Sequence, residues 1–294
     1  MITEIKAKGI LNPVKQPDDW FGLKYNMNLY RGCQHRCIYC DSRSECYQIE
    51  DFDREVIVKI NAVDLLADLL PRKRVKGTIG TGSMNDPYMP VEKKFNLTGR
   101  ALEVIAKNRF PVHVLTKSDL VLKDLDTLEE ISQVFASVSF TITTADDTLG
   151  KKLEPGAPPV SRRFAAIKKI TDRGIHTGVL LMPVLPMIED NAENILAIIR
   201  MAADHGASYI LPSFGMTIRD RQRQYYYQQL DMHFPGLKEK YIRKFGRVYF
   251  APADNANELY ELTKQACREY GITLSMPKFT PEKITRKSPQ LKLL

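Results

Sequence analysis

The stretch YRGCQHRCIYCDSRSECY, from Tyr30 to Tyr47, holds four of the chain's five cysteines: Cys33, Cys37, Cys40 and Cys46. Thiolates are soft ligands that suit zinc or iron–sulfur clusters. The spacing Cys33-x3-Cys37-x2-Cys40 supplies three close thiolates, enough for three corners of a [4Fe–4S] cube whose fourth iron stays open. Gly32 gives the backbone freedom where the loop begins. Arg31, His35 and Arg36 place positive charge beside the thiolates and favour their ionised form. A closed zinc site needs four ligands, and Cys46 or His35 is available as the fourth. The same spacing would also put three cysteines on one helix face, but Gly32, Gln34, His35 and Arg36 argue against a buried helix here. The reading is a metal or cluster site, with iron–sulfur ahead of zinc. Cys267 stands apart in the helical pattern LTKQACREYGI and is expected to be a packing residue.

The rest of the chain must position this loop. Its 294 residues suffice for one large α/β barrel, and 44% hydrophobic with 27% charged residues is ordinary globular composition. The N-terminal MITEIKAKGILNPVKQPDDW lacks the basic-then-apolar pattern of a secretion signal. The longest apolar run, near LLMPVLPMI, is too short and too rich in proline for a membrane span. A soluble cytoplasmic protein with no membrane association is expected, and structural disulfides are rare in that compartment. The formal charge of +8 suits a polyanion such as nucleic acid, although a generally basic surface accounts for it equally well.

Strand-like runs alternate with helical ones. The strands are LKYNMNLY, KGTIGTG, FPVHVLT, ASVSFTI, HTGVLLM, SYILPS and RVYFA. The helices are NAVDLLADLL, TGRALEVIAKN, LDTLEEISQV, SRRFAAIKKITDRG and NAENILAIIRMAADHG, with Gly174 and Gly206 where C-caps belong. Such alternation predicts a parallel sheet with right-handed crossovers, closed wholly or partly into a barrel. In a barrel, chemistry sits just past the C-terminal strand ends. Polar residues cluster there: Cys33 after the first strand, Asn85 and Asp86 after the second, Lys117 after the third, and Thr143 and Thr144 after the fourth.

With Tyr39 before its last cysteine, the cysteine loop resembles the signature of the radical S-adenosylmethionine (SAM) superfamily. TGSMNDPYMPVE, TKSDLVLKDLDTL, EPGAPPVSRRFAAI and LMPVLPMIEDN, each after a successive strand, are similar to the spore photoproduct lyase-like branch. The resemblance covers roughly residues 20 to 210. It implies an α/β fold, a partial (β/α)6 barrel over residues 20–212, with an α-rich extension over 213–294 and a leading segment over 1–19. It implies a [4Fe–4S] cluster on Cys33, Cys37 and Cys40, with SAM on the open iron and an external electron donor such as flavodoxin or ferredoxin. SAM would be split to a 5′-deoxyadenosyl radical that abstracts hydrogen from a substrate. Asp86 with Asn85 is expected at the SAM ammonium, Lys117 at its carboxylate, Tyr39 beside adenine, and whichever of Ser139 and Thr141 faces inward in contact with SAM.

The photoproduct lyase carries a hydrogen-donating cysteine beside the SAM segment after strand two. This chain has Gly82-Ser83-Met84-Asn85 there, without a thiol. That argues against thymine-dimer repair and leaves Cys46 as a hydrogen donor, a ligand to a second metal or a small buried apolar residue, with Tyr47 and Tyr88 as weaker candidates for radical relay. Nucleic acid is the favoured substrate class, with peptides and small molecules as alternatives. The competing class is a zinc-stabilised nucleic-acid-binding module that performs no catalysis. Past residue 212, a helix would group Arg219 with Arg223 and Tyr226 with Leu230. Packing is preferred there over base stacking, and the basic tail TPEKITRKSPQLKLL reads as a loose extension.

Overall fold

The computed structural model describes residues 1–16, 20–49, 51–52, 55–83 and 85–281. Six parallel strands pair in sequential order: β1 (Tyr25–Met27), β2 (Ile79–Thr81), β3 (Val112–Thr116), β4 (Ala136–Thr141), β5 (His176–Val184) and β6 (Tyr209–Thr217). Leu11–Pro13 adds antiparallel to β1, and β7 (Phe250–Pro252) adds antiparallel to β6. Among the described residues β1 and β6 do not pair, so the barrel is partial.

Alternation along the strands separates two interiors. Outward residues such as Val112, Val114, Ala136, Val138, Phe140, Val179 and Leu181 join the main core beneath the helices. Those helices are α1 (Ala62–Leu69), α2 (Leu97–Lys107), α3 (Leu125–Ser132), α4 (Val160–Thr171) and α5 (Ala192–Asp204). Burial on both faces is the pattern expected of a parallel sheet. Gly174 and Gly206 take the left-handed φ of +72° and +79° after α4 and α5, as their C-cap reading requires.

Inward residues form a plug across the barrel's floor. Tyr209 Oη lies 2.8 Å from Ser137 Oγ and 2.6 Å from Ser139 Oγ, and His113 Nε2 lies 2.8 Å from Ser139 Oγ. A Cβ on Gly178 would sit 2.3 Å from the Tyr209 ring, so only glycine admits this ring. Phe21 stacks on His113 with centroids 4.9 Å apart, and Met276 packs with Leu180, Tyr209 and Leu211. Segments before the first barrel strand and after the last helix therefore both help seal the base.

The first strand is shorter than the sequence suggests. LKYNMNLY splits, because Tyr30–Arg31 leaves the barrel to pair with Val56–Lys59 in a small sheet with Ile2–Ile5. The boundary expected at residue 212 falls inside β6, which continues to Thr217 through a register shift between Pro212 and Phe214. A proline without an N–H mimics a strand end in sequence. Beyond β6 come α6 (Asp220–His233), α7 (Leu237–Phe245) and α8 (Ala256–Glu269). Tyr226, Leu230, Tyr241 and Phe245 pack behind Cys37, Ile38 and Tyr39, and Cys267 is buried in the main core. The tail from residue 282 lies outside the described residues.

Glu189, fully buried after β5, accepts from Thr143 Oγ1 at 2.7 Å and from Leu185 N–H at 3.0 Å. Burial outweighs these bonds and pushes its carboxyl up to about 8 from 4.5. The folded state holds this proton more tightly than the unfolded chain. The associated stability is present below the unfolded pKa and is lost as pH rises through the folded one. Glu189→Gln, which cannot ionise, should therefore gain in melting temperature relative to the native chain between pH 5 and pH 8. Scanning calorimetry at both pH values checks this, and an equal offset at the two would contradict it.

Candidate active site

The cysteine loop is fixed from both sides. Gly32, at φ +79°, approaches Glu55 so closely that a Cβ would lie 2.3 Å from its carbonyl oxygen. On one flank the segment after Asp147–Leu153 runs against the loop, backbone to backbone. Gly156 N–H donates to His35 O at 2.9 Å, and Ile38 N–H donates to Leu153 O at 2.9 Å. His35 Nδ1 lies 3.2 Å from Gly156 O. A Cβ on Gly156 would sit 2.1 Å from Gln34 O. On the other flank stands the start of α6: Gln222 Nε2 donates to Tyr39 O at 3.0 Å, and Ser44 Oγ donates to Asp220 at 2.7 Å. Arg219 grips Asp41 with two parallel bonds of 3.0 and 2.6 Å, a geometry that orients as well as attracts.

Cys33, Cys37 and Cys40 line one cavity of about 360 Å³ at the C-terminal strand ends, together with Tyr39, Asn85, Asp86, Lys117 and Thr141. Burial pushes the Cys33 thiol up to about 12, with Asp86 and Cys40 adding to it, and burial also raises Cys37 and Cys40. Coordination by a metal would replace those protons.

Asp86 joins three loops. Its Oδ1 accepts from Tyr88 N–H at 2.8 Å and Thr116 Oγ1 at 2.7 Å, and its Oδ2 accepts from Lys117 N–H at 2.6 Å. His35 Nε2 lies 3.0 Å from Oδ2. Burial opposes the charge, but His35, Thr116 and the Lys117 N–H together hold this carboxyl at about 2. Beside it, the buried Asn85 Nδ2 has no hydrogen-bond partner among the described residues. Burial also opposes the Lys117 ammonium, but the neighbouring Cys37 and Glu154 outweigh it and hold it above the ordinary lysine range. Lys117 Nζ lies 3.8 Å from Glu154 and 5.8 Å from the centre of the Tyr39 ring. Glu154 also accepts from the Tyr39 hydroxyl and pairs with the buried Arg163 of α4. Arg163 Nη1 in turn donates to Thr141 O at 3.0 Å.

Several sequence candidates thus meet in one cavity. Of the strand-four pair, Thr141 lines it, whereas Ser139 lies a layer deeper, bonded to Tyr209. Asp86 reaches the cavity with both oxygens already engaged by the protein. Cys46 is not among the cavity-lining residues: it is exposed, with Ser44 Oγ 3.4 Å from its sulfur. Tyr88 is buried and lines a different cavity, its hydroxyl donating to Asp124 at 2.9 Å. Met84 lies outside the described residues. No three His, Cys, Asp or Glu side chains among the described residues are grouped tightly enough to hold one metal ion. Sequence reasoning missed Glu154, Gly156, Arg163, Asp41 and Arg219. The first three stand in EPGAPPVSRR, but nothing in their spacing reveals a partner more than a hundred residues earlier.

Residues 27–209 match the radical SAM superfamily. An uncharacterized protein of Methanocaldococcus jannaschii is 39% identical over 191 residues, which cover 64% of this chain and 70% of that one. An uncharacterized protein of Mycobacterium tuberculosis is 29% identical over 276 residues, covering 92% and 81% of the two chains. A radical SAM Nalpha-GlyT isomerase of Pseudomonas phage M6 is 23% identical over 159 residues, covering 54% and 32%. Among solved structures, spore photoproduct lyase superposes with a TM-score of 0.70 over 92% of this chain and 81% of that one, at 16% identity. The chain belongs to the radical SAM superfamily and is an enzyme with the fold of spore photoproduct lyase.

That superfamily implies a [4Fe–4S] cluster and SAM, and the residues present fit both. Three soft donors line one cavity, which also offers an ammonium and a buried amide without a partner among the described residues. Gly156→Ala would drive a Cβ into backbone that cannot swing aside. After anaerobic reconstitution it should hold severalfold less iron and sulfide per chain than the native protein, with an unchanged far-UV spectrum. Equal loading would show that this close approach does not position the thiols.

Proposed function

We propose that the chain binds one [4Fe–4S] cluster through Cys33, Cys37 and Cys40, binds SAM in the adjoining cavity, and abstracts hydrogen from a nucleic-acid substrate. The carrying observation is that the three thiols share a cavity with the Lys117 ammonium and the unpartnered Asn85 amide. The chemistry that cluster and SAM supply in this superfamily is reductive cleavage to a 5′-deoxyadenosyl radical.

The chain's own residues bind, orient and shield. Lys117 pairs with the SAM carboxylate, a charge-assisted contact, and Asn85 supplies a hydrogen bond beside it. Asp86 acts mainly through others: it fixes the backbone of Lys117 and the ring of His35. Tyr39, held by Glu154 and Gln222, forms the wall for adenine, and Thr141 supplies a polar edge. The helices α6 and α7 and the plugged floor exclude water from behind and below.

Several features favour nucleic acid. Phe250 lines the cavity yet is 43% exposed, and the adjacent Tyr249 is 58% exposed, with the Arg219 guanidinium 5.2 Å from its ring. Exposed aromatic rings beside a cation suit an unstacked base. Spore photoproduct lyase, which shares the fold, has been solved with dinucleoside spore photoproduct.

Anaerobic purification with iron, sulfide and zinc analysis, then dithionite and SAM with an assay for 5′-deoxyadenosine, tests this reading. About four irons per chain and formation of 5′-deoxyadenosine are expected. A colourless protein with stoichiometric zinc that accepts no cluster would overturn it. In the loaded protein, Lys117→Ala should raise the Kd for SAM roughly 10- to 100-fold, the scale of one hydrogen bond to a charged group. An unchanged Kd by equilibrium dialysis would remove Lys117 from the binding site.

A further inference from the structure

A second cavity, about 470 Å³ in volume, lies on the other side of His35 from the first. His35 lines both cavities, so the wall between them is one residue thick. That residue stands two positions from both Cys33 and Cys37. Gly156 also lines the second cavity and packs directly on the cysteine loop, with Pro155, Pro158 and Pro159 beside it. Elsewhere on the loop, Cys37 and Tyr39 are covered by α6 and α7. This second face is thus a short approach to the thiols that leaves the active-site mouth free.

Its rim is basic. Lys93, on the short helix Glu92–Phe95, and Lys151, on Asp147–Leu153, both line it. Both are exposed, and among the described residues neither has a carboxylate partner. Lys123 and Arg162 also line the cavity, but Glu92, Asp124 and Asp119 offset them. Lys93 and Lys151 are therefore the cavity's unpaired cations, at a site that shares His35 with the cysteine cavity. Apart from the partnered Asp119, the cavity is lined by neutral and basic groups.

We propose that this face is the docking site for a small acidic one-electron carrier protein, which reduces the cluster across the His35 wall. The inference rests on the cluster assignment above and adds where the electron enters. With flavodoxin as the carrier, its flavin hydroquinone anion gives up one electron and becomes the neutral semiquinone. The cluster takes that electron, and no proton needs to move. The complementary charge would set the encounter rate and its salt dependence.

The test uses cluster-loaded protein and flavodoxin hydroquinone. Lys93→Glu combined with Lys151→Glu should raise the Kd for flavodoxin at least tenfold at low salt and slow cluster reduction in the visible spectrum by a similar factor. Both effects should shrink at high salt, where the charges are screened. Formation of 5′-deoxyadenosine driven by dithionite, which needs no docking, should be unchanged. Lys240→Glu with Lys264→Glu, the same charge change on α7 and α8, should leave flavodoxin binding near native. Unchanged affinity and reduction rate in the first variant, or equal weakening in both, would overturn the docking site. A chain that accepts no cluster would instead overturn the assignment on which it rests.

Discussion

The architecture of the site depends on one buried carboxylate. A charge removed from water is very costly unless it is paired and fully hydrogen-bonded. Asp86 meets that condition by drawing together the turn at Tyr88, the end of β3 at Thr116 and Lys117, and the cysteine loop at His35. Three segments distant in sequence are thereby held at one point. The ammonium of Lys117, the amide of Asn85 and the wall between the two cavities all take their places from it. A network satisfied to this degree also specifies one arrangement, because any other leaves a polar group unpaired in a low-dielectric interior.

Around that point the chain uses small residues where backbones must touch. Gly156 lets one loop lie directly on another, and Gly178 makes room for the Tyr209 ring. The extension past β6 completes the enclosure. The first residues of α6 hold the far end of the cysteine loop through Asp41, Ser44 and Tyr39, while Tyr226 and Tyr241 fill the space behind. What the sequence offers as a helix of arginines and tyrosines is therefore a clamp on the cysteine loop with a packed back. The ring-and-cation surface lies instead on Tyr249 and Phe250, in the run RVYFA that reads simply as a strand.

The legible parts of this molecule are those with short-range signatures. Period-two and period-3.6 patterns locate the six barrel strands and five helices, and the glycine caps after α4 and α5 fall where they are expected. The cysteine spacing is local, so that loop is legible too. Contacts between distant segments are not. Glu154 with Arg163, Arg219 with Asp41, and the small sheet that captures Tyr30–Arg31 leave no periodic trace. Asp86 shows a different limit: its position at the strand end is readable, but the number of partners competing for its oxygens is not. Ser139 and Thr141 share a face by alternation, and only the depth of the tyrosine plug separates their roles.

That plug decides which end of the barrel is open. The interior below the cavity is filled by Tyr209, His113 and the serines, and sealed by Phe21 and Met276. A vessel stopped at the bottom fills and empties by its mouth. The mouth here is the rim of C-terminal strand ends, so the cysteine loop stands at the entrance of the barrel and not in its depth.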